Sequence, residues 1–522
     1  MIKSIYPLLG GLFLSVSAMA QTPSGALLLS NLDPVGTART QALGGVSIGL
    51  GGDYSSAYSN PAGIGFFKTG EFLISAGVGI TGNKTSYLPY ADPQDTKGSR
   101  TNFQLPNFGI VFANNRNNSR DTWNNFSYAI GMNRLANFNN QVNIGGVTST
   151  TSITENWIDD MWAAGMDPQY ASSIGAALAW DQKLISQFTN SKGQTDLISQ
   201  ASPARQIQTP NPLTAIYQYA NIKTTGGIND YNFAMGANYG DRLYIGGSID
   251  FPSVNYKETM SVSEIDNDPA AKSNKFGYLD YNQYTTMTGV GISGSLGIIY
   301  KVADRFRLGG SFHLPTWYNM NVKQSGDLTT NTENWNGVQS GSAAASGYLK
   351  DFSYSVMAPL RAGVGASYFF GNLKDPKSVT GFLAADYEYV NHKSSKYNYP
   401  DYKDAQDAAN AGIKQLFTSA SNFRVGGELK FLSLYALRLG YAETGSPYSS
   451  DSYNMNIKAG RKTYSGGLGV RTKGIYVDVT YSYTQAKDYY QLYTTEIADL
   501  YPPAALLDYT RSNIMATVGF KF

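Results

Sequence analysis

An all-β fold, a transmembrane antiparallel β-barrel of about fourteen strands, follows from three features of this 522-residue sequence. Apolar and polar residues alternate with period two from about residue 71 onward. The connections between alternating segments switch between short and long, as turns and outer loops do in such barrels. Charged residues make up only 15% of the chain, against about 25% in a soluble domain. Tyr and Gly are plentiful instead, which suits a sheet with one face in lipid and one in water.

The opening stretch MIKSIYPLLGGLFLSVSAMA has Lys3, an apolar run and the small-x-small motif Ala18-Met19-Ala20. Residues 1–20 therefore read as a signal peptide. Beyond residue 20 no apolar run approaches the ~18 residues of a membrane helix, so a spanning chain has to close a barrel to satisfy its backbone. Residues 21–70 are too short for a domain. They contain the turn dipeptide Asn60-Pro61 with Gly63 and Gly65 close behind. Wide barrels enclose space that wall side chains cannot fill. This segment is expected to fold into the lumen as a hatch, with the Gly pairs 44–45 and 51–52 allowing close backbone approach.

Residues 71–522 are expected to form the barrel. The first strand sets Phe72, Ile74, Ala76, Val78 and Ile80 on one face. Phe108, Ile110 and Phe112 mark a second, and Phe126, Tyr128, Ile130 and Met132 a third. Strands four and five carry Tyr231 to Ala237 and Leu243 to Phe251, joined by a tight turn at Gly240-Asp241. Further alternation runs through Val290–Ile298, Phe306–Leu314, Leu360–Phe370, Leu383–Tyr389, Phe423–Leu429, Leu437–Tyr441, Tyr464–Val470 and Ile475–Tyr481. The last segment, NIMATVGFKF, places Ile514, Ala516, Val518, Phe520 and Phe522 together. An apolar final strand ending in an aromatic resembles the assembly signal of bacterial outer-membrane barrels. Long loops are expected near 82–103, 135–228, 252–285, 320–350, 391–420, 443–460 and 484–508.

Opposite the apolar faces stand Asp250, Arg307, His313, Arg361, Asp386, Glu388, Arg424, Glu428, Lys430, Arg438, Arg471, Asp478 and Arg511. A charge facing lipid at mid-depth costs about 2–4 kcal/mol, so these face the lumen. Their mixed signs favour cross-lumen pairing. Arg361, Arg424 and Arg438 are the lumen polar candidates for steering a carboxylate-headed solute.

The 135–228 insertion reads as helical. Ser152 to Glu155 has the form of a capping box, followed by Trp157, Met161 and Trp162 at helical spacing. Asp167-Pro168 is expected to start a second helix whose stripe includes Ile174 and Leu178. Trp157, Met161, Trp162, Ile174 and Leu178 are the candidate ligand groove, either packed as a cap or open to apolar ligands. A shorter helix is expected over 404–419.

A net charge of +2 offers no broad surface for nucleic acid. Two separated His and no Cys give no metal-ligand spacing, and no catalytic constellation stands out around His313 or His392. The expectation is no enzyme, no cofactor and no metal.

LDPVGTARTQALGGVSIGLGGDYSSAYSNPAGIGFF resembles the N-terminal region of FadL/TodX-type outer-membrane transporters of fatty acids and other hydrophobic compounds. Asn60, Pro61 and Ala62 match the Asn-Pro-Ala motif of that family's hatch, with Gly63 following. IIYKVADRFRLGGSFHLPTWY, APLRAGVGASYFF and GFLAADYEYV are similar too. The resemblance implies passive transport of hydrophobic small molecules, most simply long-chain fatty acids or similar lipids, captured in outer loops and released by hatch movement. It also implies sideways exit beside a kinked third strand, here FSYAIGMNR with Gly131 as its weak point. The implied setting is a monomer in the lipid of a Gram-negative outer membrane. The alternative is a plugged barrel that docks secretion machinery or receives a haem-type ligand.

Overall fold

The computed structural model describes residues 23–87, 95–115, 122–189, 193, 195–206, 212–268, 274–372, 378–400, 402–449, 459–497, 500, 502 and 505–522. The expected signal peptide lies outside them.

Fourteen antiparallel wall strands close on themselves. They are β1 (Glu71–Tyr87), β2 (Asp95–Gln104 and Asn107–Asn115), β3 (Trp123–Asn137 and Asn140–Thr148), β4 (Ile216–Tyr239) and β5 (Leu243–Asp266). Then follow β6 (Tyr278–Ala303), β7 (Phe306–His313 and Thr316–Asn331), β8 (Lys350–Ala358 and Arg361–Phe370) and β9 (Thr380–Asn391 and Lys396–Asn398). The circuit ends with β10 (Ser419–Phe431), β11 (Tyr435–Thr444), β12 (Arg461–Arg471), β13 (Ile475–Tyr490) and β14 (Ala505–Lys521). Closure is by β1 against β14, in register from Glu71↔Lys521 to Tyr87↔Ala505. No described helix is long and apolar enough to cross a membrane.

The alternation does what period two requires. On β1 the odd positions 71–79 are buried, while Phe72, Ile74 and Val78 face out. The same outward apolar face recurs around the wall, for example Phe233 on β4, Ile249 on β5, Leu296 on β6, Leu383 on β9, Leu468 on β12 and Val479 on β13. A surface of this extent belongs in hydrocarbon rather than water.

Short turns gather at one end, where the three-residue connection of Gly240, Asp241 and Arg242 has Gly240 and Asp241 at φ of 59° and 53° and Arg242 N donating to Tyr239 O at 3.1 Å. At the other end the wall is much taller than expected. β6 alone runs 26 residues, where a crossing needs about 9–11. Much of 82–103, 252–285 and 320–350 is therefore ladder rather than loop, for example Lys84↔Lys97 and Thr286↔Lys257.

Within the 135–228 insertion lie α4 (Thr154–Ala163), α5 (Ile174–Asp181) and a hairpin of Ile185–Thr189 with Thr195–Ser199. The second helix starts later than Asp167-Pro168. Ser173 caps it, its Oγ accepting from Ala176 N, while Asp160 takes the amides of Ser172 and Ser173. The expected capping box does not form either: Ser152 Oγ donates to Glu264, and Glu155 turns to Ser202 and Arg205. The later helix spans Lys403–Leu416.

Candidate functional site

Residues 23–70 form a knot of short turns: helices α1 (Pro23–Ser30), α2 (Ala38–Ala42) and α3 (Ser56–Ser59), then a 3-10 turn over Pro61–Phe66. Asp53 gathers it, accepting from Thr37 Oγ1 at 2.9 Å, Ser55 N at 2.9 Å and Thr40 Oγ1 at 3.3 Å. Gly44, Gly45, Gly51 and Gly52 have φ of 70°, 84°, 68° and 71°, a backbone region that glycine enters without strain. Asn60 caps the 3-10 turn, accepting from Ala62 N, and donates to Ile48 O at 2.7 Å and to Ile298 O of β6 at 3.3 Å. Asn60, Pro61, Ala62 and Gly63 are all buried.

The knot touches wall strands around the circuit. Asp33 pairs with Arg511 at 2.7 Å and Arg461 at 3.1 Å, and Arg39 with Glu428 at 3.3 Å. Asp386 accepts from Ser47 N and Ile48 N at 2.7 and 2.9 Å. Burial alone would raise the Asp33 carboxyl; the two guanidiniums outweigh it and hold it below the usual carboxylate range.

Inward wall glycines make this docking fit. A Cβ on Gly297 would overlap Asn60 Oδ1, and one on Gly440 would strike the backbone at Leu43-Gly44. Gly236, Gly246, Gly309 and Gly426 likewise meet knot backbone. Sequence reading picked out the knot's own glycines and missed these. Their signal is glycine recurring at inward positions of neighbouring strands.

Above the knot lies an apolar cluster rich in tyrosine. Tyr354 meets Tyr397 and Tyr399 edge-on and these two tilt against each other, with centroids 5.4–5.9 Å apart. Tyr256, Tyr318 and Met320 join them from the wall, and Ile413 and Leu416 from α7, counting Ala343–Ser346 as α6. Ala26 and Leu29 of α1 pack into the same cluster, as do Leu135 and Ala136 of β3 and Phe138 in the break between its halves. Polar groups border it, Tyr256 donating to the buried Glu258 at 2.6 Å. Ser30 Oγ lies 2.9 Å from His392 Nδ1, and Arg361 donates to the Tyr58 hydroxyl at 3.3 Å. Burial first, then Arg361 and Arg461, pushes His392 down to about 4, leaving it neutral at pH 7.

β3 bends beside this cluster. Its first half pairs with β2 from Asn107↔Asn133 to Asn115↔Asn125. Its register on β4 slips between Arg134 and Ala136, and its second half, Asn140–Thr148, pairs with β4. Among the described residues no ladder joins Asn140–Thr148 to Asp95–Gln104. Side chains bridge the split instead. Asn137 Nδ2 donates to Gln104 Oε1 at 2.9 Å, Asn143 Nδ2 to Lys97 O at 2.8 Å and Arg100 Nη1 to Thr224 O at 2.8 Å. The bend is not at Gly131. That residue stays in the ladder opposite Gly109, and its bare Cα leaves room for the Tyr54 hydroxyl.

Of the insertion stripe, Trp157, Met161, Ile174 and Leu178 come together in one buried cluster with Tyr87, Ile144 and Tyr281. Trp157 stands edge-on to Tyr281 at 5.1 Å. These four form a packed core rather than an open groove. Trp162 is 41% exposed and does not join them, because it lies one position round α4 from Met161.

The three lumen arginines separate. Arg438 is buried and spent on Glu428 at 2.6 Å and Asp478 at 2.5 Å, and Arg424 on Glu388 at 2.9 Å. Arg361 hydrogen-bonds the knot at the Tyr58 hydroxyl, and the Arg424 side chain lies against Gly45.

The chain is a closed fourteen-strand antiparallel barrel with an N-terminal knot packed against its inward face and a split wall strand. Its fold is the FadL type. The chain is similar to the crystal structure of a Pseudomonas aeruginosa FadL homologue, with TM-score 0.53 and 12% identity over 94% of this chain and 99% of that one. The crystal structure of the Pseudomonas putida toluene transporter TodX matches at 11% identity and TM-score 0.47, over 94% and 99%. No family model and no curated protein matches the sequence.

Proposed function

We propose that this chain carries hydrophobic small molecules passively across a Gram-negative outer membrane, with long-chain fatty acids or similar lipids as substrates. One observation carries the reading: the tyrosine-lined cluster is shared by α1 of the knot and by the bend of β3. A ligand that takes the place of α1 there loosens the hatch and stands beside the split between β2 and β3. The split is the sideways exit, and Asn137, Gln104 and Arg100 latch it. Capture and release are then linked as a population shift with no energy source.

The magnitudes are compatible. Withdrawing Leu29 from the cluster costs about 2–5 kcal/mol. Burial returns about 0.8 kcal/mol per methylene, so an alkyl chain of about six methylenes offsets it. Arg361 is the group placed to meet a carboxylate head, since Arg424 and Arg438 are already paired. In this reading residues 1–20 direct export, 21–70 are the hatch, 71–522 are the barrel, and the monomer performs no catalysis.

The test is uptake of labelled long-chain fatty acid by intact cells whose own transporter is deleted. Expression of this chain should restore uptake, and Leu29→Asp should change it while the barrel stays assembled. Wild-type expression without uptake, together with a co-purifying protein partner, would instead support a docking role.

A further inference from the structure

Asp230 of β4 and Asp250 of β5 are buried on the inward face, 0% and 3% exposed. Among the described residues neither forms an ion pair with Lys or Arg. Both Asp230 oxygens lack a hydrogen-bond partner. Asp250 accepts from Ser248 Oγ at 3.0 Å. Asn133 stands directly opposite Asp230 in the ladder, and Asn232 opposite Asp250. Opposed side chains have Cβ atoms about 4.5–5.5 Å apart, and diagonal ones lie within about 7–8 Å. Asn133 is 0% exposed, and its amide makes no hydrogen bond of good geometry, although its side chain adjoins the Tyr54 hydroxyl. Tyr54 of the hatch donates to Asn232 Oδ1 at 3.2 Å.

Two uncompensated carboxylates in such a place are strongly destabilising, and an amide without good hydrogen bonds adds to the cost. One shared proton serves two oxygens, whereas a hard cation takes about 6–8. We propose that Asp230, Asp250 and the Asn133 side-chain oxygen hold a calcium-class divalent cation inside the wall, next to Tyr54. The all-oxygen donor set favours calcium over softer metals. Its place below the β3 register slip means that it ties strands β3–β5 together there, beside Tyr54. No group of three or more His, Cys, Asp or Glu suited to a metal occurs among the described residues. One amide oxygen joins the two carboxylates in this set, which is why His and Cys spacing did not point to it.

The test uses the full chain in detergent, stripped with EDTA, and Ca2+ alone as the probe. Thermal unfolding is followed while Ca2+ is titrated, and bound metal is counted by mass spectrometry. The expected result is a saturable rise in Tm with one calcium per chain, absent in Asp230→Asn and in Asp250→Asn. In EDTA both variants should melt above the wild type, because each removes a buried charge. An equal calcium response in the variants and the wild type would overturn the proposal. So would an absent response with a wild-type Tm that rises only on acidification, since that marks protonated carboxyls.

Discussion

Asn60→Ala isolates what holds the hatch. The side chain makes three hydrogen bonds: to Ile48 O at 2.7 Å, to Ile298 O at 3.3 Å and from Ala62 N at 3.2 Å. Two stabilise the knot and one ties it to β6. At about 1 kcal/mol net for the one bond to the wall, the substitution weakens docking by about 1 kcal/mol, or roughly fivefold in population at about 1.4 kcal/mol per decade, and loss of the two internal bonds loosens the knot besides. Single-channel recording in planar bilayers reads this as opening events about fivefold more frequent. Gly297→Ala attacks the same carboxamide from the wall side, because its methyl would overlap Asn60 Oδ1, and should reproduce the phenotype. Gly466→Ala is the control, since a Cβ there meets Leu439 at an ordinary 3.4 Å. Wild-type quietness in both Asn60→Ala and Gly297→Ala, with barrels intact, would refute the gating argument.

Asp33→Asn removes the pairs to Arg461 and Arg511. The Asp33 carboxyl is held below its usual value of 3.8, so its contribution is present above that pH and lost as pH falls through and below it. Protease access to residues 23–70 should rise at acid pH in the wild type and already at neutral pH in the variant; identical profiles would contradict the pairing. Trp157→Ala empties a 2% exposed site in the insertion core and should cost about 3–5 kcal/mol, seen as proteolytic cutting within 135–228 while the barrel survives. Trp162→Ala should stay within about 0.5 kcal/mol of wild type. Cysteines at Gln104 and Asn137, joined by a short bifunctional reagent in this otherwise Cys-free chain, should block fatty acid uptake while leaving ligand binding intact; undiminished uptake would exclude the split as the exit.

The wall was legible where one strand face was apolar, because lipid enforces period two there. It stopped being legible above the membrane, where strands such as Gly82–Tyr87 and Lys97–Asn102 alternate among polar residues and look like loop. Helix starts failed for a different reason. Asp167-Pro168 carries the right local chemistry, yet the chain turns on until Asp160 fixes Ser172 and Ser173. Glu155 sits three residues after Ser152 as a capping box asks, but Arg205 and Ser202 draw it away. The hatch motif was readable as a turn, whereas its receptor glycines lie on different strands and only closure brings them together. The β3 bend was expected at Gly131, and packing of Tyr54 there shows why a glycine can mark close approach rather than weakness.

The most direct measurement is an experimental density map of the purified chain loaded with a long-chain fatty acid. The account predicts elongated density against Tyr318, Tyr354 and Tyr397, with Ala26 and Leu29 moved out of the cluster. A map in which α1 keeps its seat while ligand lies only on the outer belt would contradict it.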